Sequence, residues 1–156
     1  MATPEIGSEA PDFVLDGTSP EGRRQYVLSD LRGRPVVLAF YPGDETPVCT
    51  KQLCSYQDDL GRFAEFDALV LGISSQNLDS HESFARKRGL TFPLLADTDR
   101  VVQRLYGVAG PFMTKRAVIV IDAEGIVRWT HVSTLGLSYQ DAGTIAGVLR
   151  DLAPSH

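Results

Sequence analysis

Residues 36–41 read Val-Val-Leu-Ala-Phe-Tyr, and residues 68–73 read Ala-Leu-Val-Leu-Gly-Ile. Continuous apolar runs of this length are typical of strands that are buried on both faces of a sheet. The residues between the two runs follow a helical periodicity, so the sequence predicts a strand, a helix and a second, parallel strand. A unit of this kind indicates an α/β fold in which helices cover a sheet.

The rest of the chain predicts elements that extend this unit. Four further strands are predicted, at residues 12–15, 25–28, 117–121 and 126–132. The last two are joined by residues 122–125 and form an antiparallel hairpin. Three further helices are predicted, at residues 79–87, 101–106 and 138–152, the first of them capped by Asp79 and Ser80 and stopped by Gly89. Together these elements predict a mixed sheet flanked by helices, in one domain over residues 1–156.

Composition and charge exclude several classes of protein. Of the 156 residues, 43% are hydrophobic and 22% are charged, which is ordinary for a globular protein. A chain of this length buries roughly two thirds of its unfolded surface, so it needs neither disulfides nor a metal to fold. The formal net charge is −5, from 15 basic and 20 acidic side chains. Because an acidic surface gains little from binding phosphate backbones or anionic lipid, we expect no nucleic-acid or membrane-surface partner.

The N-terminal residues and the cysteine content indicate a compartment. Residues 1–5 contain neither a basic region nor an apolar stretch, so no secretory signal is predicted. The apolar runs are far shorter than the ~20 residues that a membrane-spanning helix needs. We therefore expect a cytoplasmic protein, and stable structural disulfides are rare in that compartment. The two cysteines, Cys49 and Cys54, are close together, which favours a chemical role for them over a structural one.

Both cysteines lie in a segment that begins at the end of the first apolar run. Residues 41–54 read Tyr-Pro-Gly-Asp-Glu-Thr-Pro-Val-Cys-Thr-Lys-Gln-Leu-Cys. Open α/β sheets place their functional sites at the carboxyl ends of strands. Thr46 and Pro47 predict an N-cap and a first-turn proline, which makes Cys49 the third helical residue. There the first-turn amides and the helix dipole stabilise a thiolate, and the Thr46 hydroxyl is expected to donate a hydrogen bond to the sulfur.

The apolar spacing of this helix predicts which side faces the sheet. One core-facing stripe consists of Cys49, Leu53, Tyr56, Leu60 and Phe63. Helical geometry separates the Cα atoms of Cys49 and Cys54 by about 8.7 Å. A disulfide needs less than about 7 Å, so the two cysteines can bond only if the first turns unwind. A disulfide that requires local unfolding suits a catalytic cycle better than a structural role.

Three other interpretations fit some of these residues. Two buried, unreactive cysteines on a helix are common. A zinc site usually needs four ligands, and the three histidines lie in unrelated segments without ligand spacing: His81, His131 and His156. A thioredoxin-type dithiol has two residues between its cysteines, whereas four lie between Cys49 and Cys54. The Thr-Pro-Val-Cys context of residues 46–49 favours a reactive thiol over all three.

Residues 40–54 resemble the active-site motif of the peroxiredoxins, and most closely that of the bacterioferritin comigratory protein (peroxiredoxin Q) subfamily. The Pro-x-x-x-Thr-x-x-Cys pattern of the family is met by Pro42, Thr46 and Cys49, and the second cysteine of the subfamily is met by Cys54. Further similar stretches lie at residues 7–13, 80–84, 90–97 and 106–108. The similarity extends over nearly the whole chain and implies a thioredoxin-like fold and a thiol-dependent peroxidase activity of the atypical 2-Cys type.

The resemblance also implies a role for each site residue. Cys49 is the peroxidatic cysteine, which attacks a hydroperoxide and becomes a sulfenic acid, and Cys54 is the resolving cysteine, which closes a disulfide with it. Arg116, just before the predicted strand 117–121, matches the arginine that faces the peroxide in the family, with Lys115 as its neighbouring alternative. Thr46 adds positive potential, and Pro42 shields the sulfenic acid.

Substrates and partners follow from the same resemblance. Hydrogen peroxide and organic hydroperoxides are the expected substrates, and thioredoxin or a similar dithiol is the expected reductant. No metal or organic cofactor is implied, and both a monomer and a homodimer are compatible with the subfamily. Two other functions stay open: a general thiol–disulfide oxidoreductase on the same fold, and a non-catalytic redox sensor or holdase.

Four residues of the motif segment differ from the family or add charge. Gly43 and Val48 stand where members of the family often carry Lys and Gly. Asp44 and Glu45 place two carboxylates near the sulfur, and nearby negative charge disfavours a thiolate. Because both residues belong to a polar loop, we expect their carboxylates to point to solvent, where their effect on the sulfur is small.

The preferred peroxide depends on the shape of the pocket. Phe40, Phe112 and Met113 are candidates for lining it. Ordinary packing in the core or in a loop explains the same three residues.

Overall fold

A computed structural model of the chain describes residues 3–44, 46–110, 114–133 and 142–152. Within these residues, seven strands form one sheet in the order β2-β1-β5-β4-β3-β6-β7. The strands are β1 Val14–Ser19, β2 Gly22–Val27, β3 Val36–Phe40, β4 Leu69–Ser74, β5 Leu94–Ala96, β6 Arg116–Ile121 and β7 Val127–Ser133.

The described helices pack on both faces of this sheet. They are α1 Pro47–Asp58, α2 Leu60–Ala64, α3 Leu78–Arg88, α4 Val101–Leu105 and α5 Ala142–Leu152, with a 3₁₀ turn at Leu28–Leu31. Side chains of α1, α2, α3 and α5 share one core cluster, and side chains of α4 and the 3₁₀ turn belong to a second cluster. None of the described helices is long and apolar enough to cross a lipid bilayer.

The centre of the sheet confirms the main predictions. β3 and β4 are parallel and in register from the Val36–Leu69 pair to the Phe40–Ile73 pair, so the predicted strand, helix and parallel strand are present. β6 and β7 form the predicted antiparallel hairpin. The sheet contains both parallel and antiparallel pairs and carries helices on its faces, as predicted.

Side chains alternate between the two faces along the central strands. In β3, Leu38 and Phe40 lie in the cluster beneath α4, whereas Val37 and Ala39 lie in the cluster beneath α1. This alternation is the period of an extended strand. It explains why β3 reads as one continuous apolar run, since both of its faces are covered.

Two details of the helices differ from the predictions, and a third agrees. The helix after β3 is interrupted at Asp59, so the predicted stripe is shared by two helices and Leu60 is only partly buried. The N-cap of α3 is Asn77, whose side chain accepts a hydrogen bond of 2.9 Å from the Ser80 amide, rather than Asp79 or Ser80. Gly89 ends α3 as predicted, because its φ of 67° is accessible to glycine at little cost.

One strand and the last helix need a separate comparison with the predictions. β5 was not predicted, because three residues are too few to show a period. The terminal helix is described from Ala142 onward, and residues 138–141 of its predicted range lie outside the described residues.

Candidate active site

Cys49 lies where the sequence predicts, at the amino end of the helix that follows β3. Thr46 is the N-cap with extended backbone angles, Pro47 is the first helical residue and Cys49 is the third. The Cys49 side chain is fully buried, with 0% of its surface exposed, in the cluster between α1 and the sheet. The sulfur therefore sits beside the first-turn amides and the positive end of the helix dipole.

Arg116 makes direct contact with this sulfur. Its Nη2 atom lies 3.1 Å from Cys49 Sγ, and its side chain is buried, with the residue only 3% exposed. Strand pairing explains the contact. Ala117 is opposite Phe40, so Arg116 lies level with the carboxyl end of β3, and alternation turns it toward the face that α1 covers. A buried cation at this distance favours the thiolate form of a cysteine. Arg116 is thus the residue that contacts the sulfur. The backbone amide of Lys115, the neighbouring alternative, donates a hydrogen bond to the carbonyl oxygen of Val108.

Gln52 and Tyr56 extend this contact into a buried chain of hydrogen bonds. Arg116 Nη1 donates to Gln52 Oε1 at 2.6 Å, and Gln52 Nε2 donates to the Tyr56 hydroxyl oxygen at 2.9 Å. Gln52 and Tyr56 are both fully buried. Sequence reasoning missed Gln52. The available signal was a polar side chain three residues after Cys49, on the face of α1 that is otherwise apolar.

The Thr46 hydroxyl does not donate to the sulfur, contrary to the prediction. It donates to the carbonyl oxygen of Gly43 at 2.9 Å and thereby closes the loop before α1. A hydroxyl has one proton, so in this arrangement none is left for Cys49. Pro42, the other predicted loop residue, is half-buried in the same loop.

The expectation that Asp44 points to solvent is wrong. Its side chain is 3% exposed, accepts hydrogen bonds of 2.7 Å from the Tyr41 and Ser80 hydroxyls, and lies 2.7 Å from His81 Nδ1. Burial alone raises the pKa of Asp44, but the hydrogen bonds and the charge of His81 outweigh it and hold the pKa below its ordinary value. The contacts with Ser80 and His81 therefore attach the carboxylate to α3. Glu45 lies outside the described residues.

Burial of Tyr41 has a related effect. Desolvation, together with the Asp44 carboxylate, raises the pKa of Tyr41 well above its ordinary value. The phenol therefore stays protonated and acts as a hydrogen-bond donor to Asp44.

The Gln76 side chain packs against Gly43 and bonds to neighbouring residues. Gln76 accepts from the Asp44 amide at 3.0 Å and from the Ser74 hydroxyl at 2.7 Å. A Cβ added at Gly43 would lie 3.0 Å from Gln76 Nε2, so a lysine at this position requires the Gln76 side chain to move.

Cys54 lies on α1 away from Cys49. It is partly buried against the same core cluster, and α1 is continuous from Pro47 to Asp58. The two cysteines are not joined by a disulfide in this structure. An intact helix keeps their Cα atoms about 8.7 Å apart, beyond the reach of a disulfide.

The remaining candidates give no further site. Phe40 is a core residue, with its ring centroid 5.5 Å from that of Tyr106, while Phe112, Met113 and His156 lie outside the described residues. Within the described part of the chain, no group of three or more His, Cys, Asp and Glu side chains is arranged to hold a metal ion.

Comparison with known proteins identifies the family. Residues 6–130 match the AhpC/TSA family. The chain belongs to this family. The rice (Oryza sativa subsp. japonica) protein named peroxiredoxin Q, chloroplastic, is 39% identical over 128 residues, which are 80% of this chain and 58% of the relative. The Coxiella burnetii protein named "Putative peroxiredoxin bcp" is 38% identical over 142 residues, which are 85% of this chain and 92% of the relative. The resemblance to peroxiredoxin Q and the bacterioferritin comigratory proteins is thus confirmed, although the match spans only 58% of the length of the rice relative.

Solved structures support the same fold. The reduced 2-Cys peroxiredoxin of Plasmodium vivax superposes with a TM-score of 0.87 at 24% identity, over 94% of this chain and 95% of that chain. AhpC of Mycobacterium tuberculosis superposes with a TM-score of 0.86 at 20% identity, over 96% of this chain and 98% of that chain. The predicted thioredoxin-like fold is confirmed.

Proposed function

We propose that this member of the AhpC/TSA family is a thiol-dependent peroxidase that reduces hydrogen peroxide and organic hydroperoxides. The contact of 3.1 Å between Arg116 Nη2 and Cys49 Sγ, at the amino end of α1, is the observation that carries the proposal. It combines a cation, a helix dipole and first-turn amides on one buried sulfur. This is the setting in which a cysteine becomes a reactive nucleophile.

In the proposed first step, the Cys49 thiolate attacks one oxygen of the hydroperoxide. A sulfur–oxygen bond forms, the oxygen–oxygen bond breaks, and the leaving oxygen departs with a proton as water or an alcohol. Sulfur is oxidised by two electrons to a sulfenic acid. Negative charge moves from sulfur to the leaving oxygen, and Arg116, Thr46 and the first-turn amides would stabilise it along that line.

Burial constrains this step. Because Cys49 has no exposed surface, a peroxide reaches it only when neighbouring atoms shift. The Thr46 hydroxyl donates its hydrogen bond to the Gly43 carbonyl oxygen. It must therefore rotate before it can donate to the peroxide. Pro42 would shield the sulfenic acid from water and from a second peroxide.

In the proposed second step, Cys54 resolves the sulfenic acid. The Cys54 sulfur bonds to the Cys49 sulfur, and the sulfenic oxygen leaves as water with the thiol proton. The intact α1 forbids this bond, so the first turns unwind before it forms. An external dithiol, thioredoxin or a similar protein, then reduces the bridge by exchange.

The cycle suggests where and in what form the protein works. Reduction by a dithiol suits a reducing compartment, for which we propose the cytoplasm. We further propose that residues 1–156 act as one domain, as a monomer or a homodimer, without a metal or an organic cofactor.

Stopped-flow reaction of the reduced protein with hydrogen peroxide tests this function. We expect a second-order rate constant far above that of free cysteine, loss of reactivity in Cys49→Ser, and repeated turnover with thioredoxin and its reductase. A rate constant near that of free cysteine, together with reduction of protein disulfides, would identify a general thiol–disulfide oxidoreductase instead. Fast oxidation without turnover by any dithiol would identify a redox sensor.

A further inference from the structure

His81 presents both of its ring nitrogens to oxygen acceptors. Nδ1 lies 2.7 Å from Asp44 Oδ2, and Nε2 lies 3.0 Å from the carbonyl oxygen of Leu95. The side chain is completely buried. A carboxylate and a carbonyl only accept hydrogen bonds, whereas a neutral imidazole carries a proton on one nitrogen alone. Beside an ionised Asp44, whose pKa is held below its ordinary value, the neutral ring would therefore set a nitrogen lone pair against an oxygen lone pair where water cannot intervene.

The protonated ring satisfies both contacts. It also supplies the counter-charge that the Asp44 carboxylate, 3% exposed, requires in the protein interior. The Asp44 side chain then accepts from His81, Ser80 and Tyr41 at once. The hydrogen bonds and charge of this cluster lower the pKa of Asp44 in spite of its burial, which agrees with an ionised carboxylate facing a cation.

Among the described residues, the two other carboxylates of α3 have a partner of their own. Tyr41, at the end of β3, places its hydroxyl 3.4 Å from His81 Nδ1 and donates to Asp44 as a neutral phenol. Asp79 and Glu82 share α3 with His81, but both carboxylates contact Arg23 of β2 at 2.6 Å. The partner of His81 is thus Asp44, from the loop that precedes Cys49.

We propose that His81 and Asp44 form a buried imidazolium–carboxylate pair that positions the Cys49 thiol, a role that rests on the proposed peroxidase function. Asp44 lies five residues before Cys49, and the pair ties this loop to α3. The Leu95 carbonyl ties His81 in turn to β5 of the sheet. The start of α1, and with it the approach of Cys49 to Arg116, is fixed by this connection.

A second attachment lies beyond Cys54. Gln57 and Thr91 exchange hydrogen bonds of 2.7 Å and 2.9 Å between α1 and the segment after α3. Both cysteines therefore lie between two residues whose side chains bond to other segments, Asp44 and Gln57.

Nitrogen-15 NMR of the imidazole rings tests the charge of the pair without any use of activity. At neutral pH we expect protons on both ring nitrogens of His81, assigned by comparison with His81→Asn. His131, half-buried on β7 and stacked on Trp129 at a centroid distance of 6.2 Å, offers the matched control variant His131→Asn. A His81 ring with one unprotonated nitrogen at neutral pH overturns the proposal.

Peroxide kinetics test the positioning role. We expect His81→Asn and the near-isosteric Asp44→Asn to keep the native circular dichroism and to react with hydrogen peroxide about tenfold to a hundredfold more slowly, since small displacements of a reacting group are costly. The double variant is expected to lose no more than either single variant, because the two residues act as a unit. His131→Asn is expected to stay within twofold of wild type.

Each other outcome has one meaning. A His81→Asn or Asp44→Asn protein that folds and reacts within twofold of wild type overturns the proposal, as do additive losses in the double variant. Where a variant does not fold, the protonation state of wild-type His81 decides. A wild-type protein that reacts no faster than free cysteine refutes the peroxidase instead, and the rate of Cys49 alkylation by iodoacetamide then replaces peroxide as the measure of positioning.

Discussion

Gln52 accepts a hydrogen bond of 2.6 Å from Arg116 inside the core, one helical turn after Cys49. Through its other guanidinium nitrogen, Arg116 contacts the Cys49 sulfur at 3.1 Å. The Gln52 side-chain amide in turn donates a hydrogen bond of 2.9 Å to the Tyr56 hydroxyl oxygen. The orientation of the cation at the thiol is therefore set by two residues of the same helix that carries the thiol.

We expect Gln52→Met to slow the reaction of Cys49 with hydrogen peroxide by about tenfold, because the guanidinium loses the acceptor that orients it. The variant also removes two buried hydrogen bonds, so its free energy of unfolding should fall by about 1–3 kcal/mol. Stopped-flow kinetics and urea denaturation measure the two effects. Gln25→Met, at an exposed position of β2, is the control with the same residue change, and an equal loss of rate in that variant would contradict a specific role for Gln52.

Replacement of Arg116 tests the cation itself. In Arg116→Met we expect the peroxide rate constant to fall by about 10²–10³, the loss typical of removing one preorganised donor from a developing charge. Lys115→Met removes the neighbouring cation and should keep the wild-type rate. The reverse ranking of the two variants would assign the role to Lys115.

Sequence periodicity predicted the parts of the site that depend on local structure. The apolar runs placed β3 and β4, and Thr46-Pro47 placed Cys49 at the third position of α1. Such features need only the chain's own spacing and capping. The role of Arg116 came from a family resemblance, and strand alternation then explains why it faces Cys49.

Polar contacts between distant segments were not predictable in the same way. Asp44 was expected in solvent because its neighbours are polar, yet its partner His81 stands 37 residues further along the chain. Thr46 was expected to reach the sulfur but has a nearer acceptor in Gly43, once the loop folds back. Neither partner leaves a periodic trace in the sequence, since side-chain hydrogen bonds depend on tertiary structure.

The lowered pKa of Asp44 predicts a contribution to acid stability. A carboxylate whose folded pKa lies below its ordinary value of 3.8 stabilises the fold above that value, and this contribution is lost as the pH falls through the folded pKa. Asp44→Asn should therefore be less stable than wild type at neutral pH and converge toward it in acid. Urea denaturation over a pH series measures the difference. A difference that does not change with pH would mean that the carboxylate charge is irrelevant.

Asp97 provides a comparison of opposite sign. It is fully buried and accepts the backbone amides of Val102 and Gln103, and desolvation raises its pKa in spite of those bonds. Here the folded state binds the proton first as the pH falls, so wild type gains stability from that protonation. Asp97→Asn lacks this gain and should lose stability more steeply than wild type on acidification. A shallower acid dependence than wild type in the same urea series would contradict the raised pKa.

Oxidation of the two cysteines should unwind part of α1. With one equivalent of peroxide, wild type is expected to lose two hydrogen atoms by mass spectrometry and to lose helical circular dichroism, because α1 in its present form keeps the sulfurs too far apart to bond. Cys54→Ser should instead trap the Cys49 sulfenic acid as a dimedone adduct and keep its helical signal. A disulfide that forms without loss of helix would show that the cysteines meet in some other way. Equal turnover of Cys54→Ser and wild type with thioredoxin would remove Cys54 from the cycle.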